Sequence, residues 1–325
     1  MKQKALLILL AAGLIAAAVA VYSPARNMSF IFDDYVTIIK NRKIQAASFY
    51  QAVRENPFRS LVNLTFAFQT AMHRPEEPDR VLEYGAFQSF VELSGGEETR
   101  MRYYYTDPRT GESGRVLPDM KRGYIYPLPD VLPFRAVNLA LHFACALLLG
   151  LVVFRLRPWR SAAFLASAAF LFHPLATESV NYISARFDLM AFLFSLAAVY
   201  FHLLADDKPS RDWFAAGFFV LALLCKESAA SLPVALLLLD SARGRPRARV
   251  LFGLALSAVY VLLRLQWMII LDSPEMEKLS WPAYVLLEQR VFWIYLAKCI
   301  YPLHLNFEYN IEPKTLTDAA FAALN

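Results

Sequence analysis

The chain has 325 residues, of which 57% are hydrophobic and 14% aromatic, and its formal net charge is +5. A soluble domain has about 45–50% apolar residues, and here the excess comes in long blocks that are nearly free of charge. This composition excludes an ordinary soluble domain and predicts an all-α polytopic membrane protein with several helical spans. The apolar blocks are residues 5–22, 134–154, 161–172, 189–204, 213–240, 250–271 and 291–303.

Basic residues follow the apolar blocks in an alternating pattern. Clusters occur at alternate connections, as the positive-inside rule expects of loops that face the cytoplasm. We therefore interpret the positive charge as a topology signal and do not expect nucleic-acid binding. Together with Lys2 and Lys4, these clusters contain Arg155, Arg157, Arg160, Lys208, Arg211, Arg243, Arg245, Arg247 and Arg249.

The first block resembles a signal peptide but is long for a cleaved one, so we interpret it as an uncleaved first span. Residues 23–133 then form a long external loop. Within it, residues 75–125 are a polar insertion with a hairpin at most, in which "RYYYTDPRTGES" could supply two strands around a turn. The three cysteines lie in or beside apolar blocks and predict neither a disulfide framework nor a metal site.

Two adjacent carboxylates, Asp33 and Asp34, follow the first span within "SFIFDDYVTIIKNRKI". One of them in a pocket of low dielectric would have a raised pKa, which suits a general base. The pair could instead bind a divalent cation, or one of them could cap a short helix. At the start of the second span, Asn138 and His142 are four residues apart, and we expect both to face the bundle interior as a hydrogen-bonded pair.

The third apolar block, 161–172, is too short to cross a membrane alone, and His173-Pro174 follows it as a helix end. Block 213–240 is too long for one span and short for two. Two short helices that turn at 225–228 would each rise only about 18 Å and would keep the following arginines on the cytoplasmic side. Both segments therefore place charged residues below the outer membrane surface, at one level, where they need partners or a wet cavity. The residues in question are Glu178, Arg186, Asp188, Lys226 and Glu227.

Several motifs resemble one known family. "FDDYVTIIKN", "PFRAVNLALH", "HPLATESVNYISARFDLMAFLF" and "LCKESAASLPVALLLLD" are similar, in this order, to the membrane domain of the TMTC proteins, the transmembrane and tetratricopeptide-repeat glycosyltransferases of GT-C fold. The resemblance covers about residues 26–310 apart from the insertion, so residues 1–325 are interpreted as one GT-C-like membrane domain. The chain lacks the family's repeats and ends at "LTDAAFAALN", where relatives continue through further spans. We expect a fragment, a truncated product or a reduced member of the family, and a partner subunit could supply the missing spans.

The resemblance implies an integral-membrane transferase that takes a sugar, mannose in eukaryotic relatives, from a polyprenyl-phosphate carrier. The acceptor would be a hydroxyl of a protein Ser or Thr, or of a glycan, on the external face. In a bacterium this would be the periplasmic side of the inner membrane. By similarity, Asp33 stands at the position of the catalytic base, with Asp34 beside it. Inversion at the anomeric carbon follows from a direct displacement.

The lipid phosphate would need cations, and we expect Arg186 and Lys226 to bind it, with Arg290 as a weaker third. Glu178 or Asp188 would hold the Arg186 guanidinium, or form a structural ion pair with it. Glu227 is expected to pair with Lys226, and His173, Asn138 and His142 to support the site. A transporter or flippase of a lipid-linked or anionic substrate, or a non-catalytic membrane scaffold subunit, is the alternative function.

Overall fold

A computed structural model of the chain describes the helical core and parts of the loops. The described residues are 13, 16–23, 30–31, 33–34, 37–38, 41, 44, 49–72, 80–82, 88–90, 102–106, 113–119, 122–125, 131–206, 208–244, 248–270, 281–303 and 305. A first helical segment covers residues 16–22, within the predicted first span, of which residues 5–12 lie outside the described part.

The helices follow in chain order, and the connection that contains the insertion lies between Met72 and Val131. They are α1 (Phe49–Glu55), α2 (Ser60–Met72), α3 (Val131–Leu156), α4 (Arg160–Phe172), α5 (Ala176–Asn181), α6 (Arg186–Leu204), α7 (Asp212–Leu223), α8 (Leu232–Ala242), α9 (Ala248–Ile270) and α10 (Trp281–Ile300). Single 3₁₀ turns cover Pro57–Arg59, Ile183–Ala185, Pro209–Arg211 and Glu227–Ser231.

Within the described residues, three stretches are long and apolar enough to cross a membrane: Val131–Leu156, Ile183–Leu204 and Val250–Trp267. They correspond to three of the predicted apolar blocks. Helix α4 is apolar but shorter, as the length of its block predicted. Outside the insertion, the described secondary structure is helical, so the predicted helical character is confirmed, whereas the GT-C arrangement stays a prediction.

The predicted break within block 213–240 is confirmed. Helix α7 ends at Leu223, Lys226 has an extended backbone with φ −157° and ψ 144°, and α8 begins at Leu232 after a 3₁₀ turn. Pro233 lies in the first turn of α8, where its missing N–H would have no intrahelical acceptor. The segment 224–231 therefore separates two short helices.

Consecutive helices pack side by side around α3 and α6. Helix α3 contacts both α4 and α6, and α6 contacts α7. The α3–α4 contact is close at Gly150, because a Cβ there would clash with the Ser167 hydroxyl, which donates to the Ala146 carbonyl at 2.8 Å. The main apolar core lies at one end, around Phe30, Phe66 and Phe134.

The insertion contains a five-stranded antiparallel sheet, so the expectation of a hairpin at most was wrong. The strands are β1 (Arg80–Leu82), β2 (Gln88–Phe90), β3 (Arg102–Thr106), β4 (Ser113–Asp119) and β5 (Arg122–Ile125), in the order β1-β5-β4-β3-β2. The predicted pair of strands corresponds to β3 and β4. The sequence signal for the others was weak because strands of three or four residues are too short to establish an alternating pattern. Since Arg80 pairs with Ile125, the insertion leaves and rejoins the chain at adjacent points.

We predict that Gly150→Ala lowers the free energy of unfolding by about 1–3 kcal/mol, because the added methyl overpacks the α3–α4 contact. Thermal unfolding in detergent measures this. Gly217→Ala on α7 is the matched control: its Cβ meets nothing within 4 Å, so better helix propensity should leave it neutral or stabilised. Ser167→Ala should recover part of the loss in the double variant. Equal effects at the two glycines would contradict the close contact.

Candidate active site

The guanidinium of Arg186 is fully buried at the start of α6. Its Nε donates to Asn138 Oδ1 at 2.9 Å, and its two terminal nitrogens donate to Thr65 Oγ1 at 3.2 Å and the Phe134 carbonyl at 3.0 Å. The rings of Phe66 and Phe134 lie 4.5 and 5.8 Å from Cζ. These acceptors come from α2 and α3, so Arg186 ties three helices together.

The expected roles of Arg186 therefore need correction. Its described hydrogen bonds go to neutral oxygens, and neither Glu178 nor Asp188 is among its hydrogen-bond or ion-pair partners. The guanidinium is fully buried, and its expected binding of the lipid phosphate stays a prediction. The sequence predicted that Arg186 lies close to Asp188, near one end of a helix, but no sequence pattern showed that α2 and α3 enclose it.

Segment 181–184, which precedes α6, is held by side chains of α3 and of the first loop. Arg135 donates to the Asn181 carbonyl at 3.1 Å, and Asn138 donates to the Tyr182 and Ile183 carbonyls, each at 3.2 Å. From the other side, Asp34 accepts from the Ser184 amide at 2.7 Å. The turn thus has a fixed backbone.

Asp34 is fully buried, and its second oxygen accepts from the Ile31 amide at 3.2 Å. Burial raises the pKa of Asp34 above its ordinary value, and the hydrogen bonds from Ser184, Ile31 and Ile183 offset only part of this effect. A carboxylate in this position orients the first loop and cannot reach a substrate. An N-cap side chain accepts from amides two or three residues after it, whereas Asp34 accepts from an amide three residues before it and from the remote Ser184. Its contacts are therefore not those of the helix cap considered from the sequence.

Asp33, by contrast, is exposed and interacts with Tyr182 through a side-chain hydrogen bond. Burial, followed by the charges of Asp33 and Asp34, raises the pKa of the Tyr182 phenol. The two aspartates thus differ in environment: one is buried and the other faces outward. The divalent cation considered from the sequence stays a prediction.

Lys226 and Asp188 form a close ion pair at the same end of the bundle. The Lys226 ammonium lies 2.6 and 2.7 Å from the two Asp188 oxygens. Glu178 is near enough to interact electrostatically with both, and burial and the Asp188 charge raise its pKa while Lys226 opposes them. This contact brings the two segments together, and their predicted depth below the outer membrane surface stays a prediction.

Glu227 pairs with Arg59 rather than with Lys226, so that expected pairing was wrong. The Arg59 guanidinium donates to the two Glu227 oxygens at 2.7 and 3.3 Å. Lys226 has an extended backbone, and successive side chains of an extended chain point to opposite sides. Arg59 was missed because its position in "NPFRS" gives no signal of proximity to residue 227. The interaction joins the start of α2 to the 224–231 segment, as does the bond from the Leu61 amide to the Leu224 carbonyl.

The supporting residues differ in their contacts. His173 ends α4: its Nδ1 accepts from the Leu175 amide at 3.3 Å, and its Nε2 lies 3.0 Å from the Cys299 carbonyl at the end of α10. His142 is buried with Asn138, as expected, but its Nε2 lies 3.2 Å from the Leu171 carbonyl, so the two do not form the expected pair. Arg290 lies partly buried on α10 and, within the described chain, makes no ion pair with the other site residues.

A cavity of about 480 Å³ opens beside the Lys226–Asp188 pair. Its walls are mostly apolar, and Asp188 is the charged residue among them. The lining comprises Phe170, Ser179, Asp188, Leu189, Ala191, Phe192, Ser195, Ser228, Ala229, Ser231, Leu232 and Ala235. An apolar cavity with a charged rim suits an amphiphile. Within the described residues, no group of three or more His, Cys, Asp or Glu side chains is placed to hold a metal ion.

The chain matches no family model, no curated protein and no solved structure. Its class is therefore defined by its own features. The part of the chain that the structure describes has three helices long and apolar enough to cross a membrane, with a cluster of polar residues and a cavity at one end.

We predict that Arg186→Lys lowers the free energy of unfolding by about 3 kcal/mol, because an ammonium cannot replace a planar fork that donates to three separate oxygens. Thermal unfolding in detergent measures this loss. Lys226→Gln is the control, since its side chain is partly exposed and should change stability little. An unchanged midpoint in Arg186→Lys would contradict the structural role.

Stability should also depend on pH through Glu227. Burial alone would raise its pKa, but the hydrogen bonds and charge of Arg59, together with Arg264, hold it below the ordinary 4.5. The ion pair therefore contributes stability that is fully present above pH 4.5 and is lost as pH falls through the folded-state pKa.

The measurement is the difference in unfolding midpoint between the wild type and Glu227→Gln from pH 3 to 7. It should be constant near neutral pH and shrink in acid. In an Arg59→Gln background, the change in unfolding midpoint caused by Glu227→Gln should be nearly independent of pH. A midpoint difference that grows as the pH falls would mean that folding raises the pKa of Glu227, and it would refute the stabilising ion pair with Arg59.

Proposed function

We propose that the protein is an integral-membrane glycosyltransferase that moves a mannose-like sugar from a polyprenyl-phosphate carrier to a hydroxyl acceptor, on the external face of the membrane. The proposal rests chiefly on one observation. An exposed carboxylate, Asp33, lies beside Tyr182 just before α6, and a partly exposed cation, Lys226, pairs with Asp188, which lines a largely apolar cavity. The resemblance of the sequence motifs to the TMTC glycosyltransferases gives the reaction class.

The cavity and its rim suit the two parts of such a donor. The apolar walls, with Phe170, Phe192 and Leu232, would accommodate the first isoprene units. Lys226 would neutralise the phosphate at the rim, which requires it to leave Asp188. Arg186 has no direct role in this scheme, because it is buried; it positions the start of α6.

The chemistry is a single displacement. The acceptor hydroxyl oxygen forms a bond to the anomeric carbon while the bond from that carbon to the phosphate oxygen breaks. The hydroxyl proton passes to Asp33, and the polyprenyl phosphate leaves with the bonding electron pair, with inversion at carbon. Asp34 positions this base, because its hydrogen bond from the Ser184 amide fixes the short turn that contains both aspartates.

The test measures donor binding and turnover separately, in protein reconstituted with polyprenyl-phosphate-mannose and a Ser/Thr-rich peptide. Asp33→Asn should bind the donor normally but lower the transfer rate about 10²- to 10⁴-fold, the usual contribution of general base catalysis. Lys226→Gln should weaken donor binding, which native mass spectrometry measures. For every variant, the rate of transfer is measured by the release of polyprenyl phosphate.

Two charge-neutralising variants at the opposite end of α7 serve as matched controls. Asp212→Asn and exposed Lys208→Gln should leave binding and transfer unchanged. Donor binding without any dependence of transfer on Asp33 would refute the catalytic assignment. No preference for the donor over plain phospholipid would instead favour a transporter or a scaffold.

A further inference from the structure

One face of α9 contains four polar side chains that the proposed reaction does not use. Ser257, Tyr260, Arg264 and Trp267 follow one another at intervals of three, four and three residues. This spacing places them in a line along one side of a helix. The line covers about 15 Å at 1.5 Å per residue and extends toward the end of the bundle at which Glu227 lies. We call these four residues the α9 stripe.

The polar atoms of the α9 stripe have no hydrogen-bond partner within the described chain. The Ser257 hydroxyl, the Tyr260 hydroxyl and the Trp267 indole nitrogen are all buried and unpartnered. Ser257 and Tyr260 are each only 8% exposed. For Arg264 the described interactions are a ring contact, with Cζ 5.5 Å from the Phe58 centroid, and electrostatic coupling to Glu227 and Tyr260.

The surroundings of the α9 stripe are short of acceptors. Phe58 packs edge-on against Tyr260 and Trp267, at centroid distances of 5.4 and 6.1 Å. The nearby carboxylate, Glu227, already accepts two hydrogen bonds from Arg59. Two guanidinium groups thus share one carboxylate, and the local charge is positive.

An arrangement of this kind is unfavourable without a further group. Buried donors without acceptors lose their hydration and gain nothing in return, and a charged residue on an apolar helix needs a partner. The missing partner must be an acceptor that carries negative charge. It must also be able to accept several hydrogen bonds, because a guanidinium, a phenol and an indole N–H in this cluster have no acceptor within the described chain.

We propose that the Arg264 end of the α9 stripe, which comprises Tyr260, Arg264 and Trp267 around Phe58, forms with Arg59 a binding site for a phosphate group. A tetrahedral phosphate offers acceptor oxygens in several directions, and the planar fork of Arg264 can donate to two of them. Tyr260 and Trp267 supply single donors from the same helix face. This site is separate from the Lys226–Asp188 pair, and it does not depend on the protein being a transferase.

The phosphate could belong to a lipid headgroup or be free in solution, and two experiments distinguish these sources. In the first, inorganic phosphate is titrated into the protein in nanodiscs of phosphatidylcholine, with the unfolding midpoint as the signal. In the second, the nanodiscs contain phosphatidic acid, and native mass spectrometry measures its retention over phosphatidylcholine. No sugar donor is present, so failure here leaves the proposed transferase activity untouched.

Tyr260→Phe is the most informative variant. It should weaken phosphate binding about 3- to 10-fold by removing one donor. It should not lower the unfolding midpoint of the ligand-free protein, because the deleted hydroxyl has no partner there. Arg264→Gln should weaken binding about 10- to 100-fold. If that variant does not fold, Arg264→Lys keeps the charge and removes the fork.

The control is Arg54→Gln, an exposed arginine on α1 that contacts Tyr50 and lies outside the α9 stripe. It should bind phosphate as the wild type does. The proposal is overturned if neither phosphate source binds the folded wild type more tightly than Arg264→Gln or Arg264→Lys. It is also overturned if Tyr260→Phe destabilises the ligand-free protein and leaves binding unchanged, because that result would assign the hydroxyl a structural role.

Discussion

Burial of the Arg186 guanidinium is the constraint on which this end of the bundle depends. A fully buried charge in a chain this apolar is tolerated only when its donors are satisfied. Its acceptors are supplied by Thr65 on α2 and by Asn138 and the Phe134 carbonyl on α3. Because the fork is planar and rigid, these oxygens must lie at set positions relative to α6. The charge therefore acts chiefly by specifying how three helices meet, rather than by adding attraction between them.

The fixed start of α6 determines where the two aspartates of the first loop lie. Segment 181–184 is held by α3, so the Ser184 amide is available at a defined place, and Asp34 accepts from it. An adjacent residue in the same short turn cannot share that buried position. Asp33 is accordingly directed outward, beside Tyr182. A buried carboxylate thus positions an exposed one, and this division of roles follows from the backbone rather than from any difference in chemistry between the two side chains.

The lengths of the apolar blocks and the placement of charged residues predicted the helices and the end of the bundle at which the site lies. They did not predict the contacts within the site. Block 213–240 could be divided correctly because its length fits neither one span nor two, which is a constraint on a single segment. Pairing is a different problem. The partners of Arg186 come from α2 and α3, and the partner of Glu227 comes from the 3₁₀ turn that precedes α2. All lie far away in sequence, and no local pattern encodes them. Proximity in sequence was actively misleading for Lys226 and Glu227, because an extended backbone separates neighbouring side chains. The insertion was underestimated for a related reason: its short strands are defined by long-range pairing, such as Arg80 with Ile125.

That same separation of Lys226 from Glu227 creates two polar environments from one break in a helical hairpin. Lys226 faces α6, where Asp188 neutralises it and an apolar cavity begins. Glu227 faces α2 and α9, where Arg59 and Arg264 together exceed its charge. The first environment is balanced without a ligand, so an anion that binds there must displace an existing partner. The second is not balanced, because donors outnumber acceptors, and an anion would complete it without breaking a bond. If both bind phosphate, the site on α9 should therefore be the easier to fill, and occupancy of the Lys226 site should be the one that requires rearrangement.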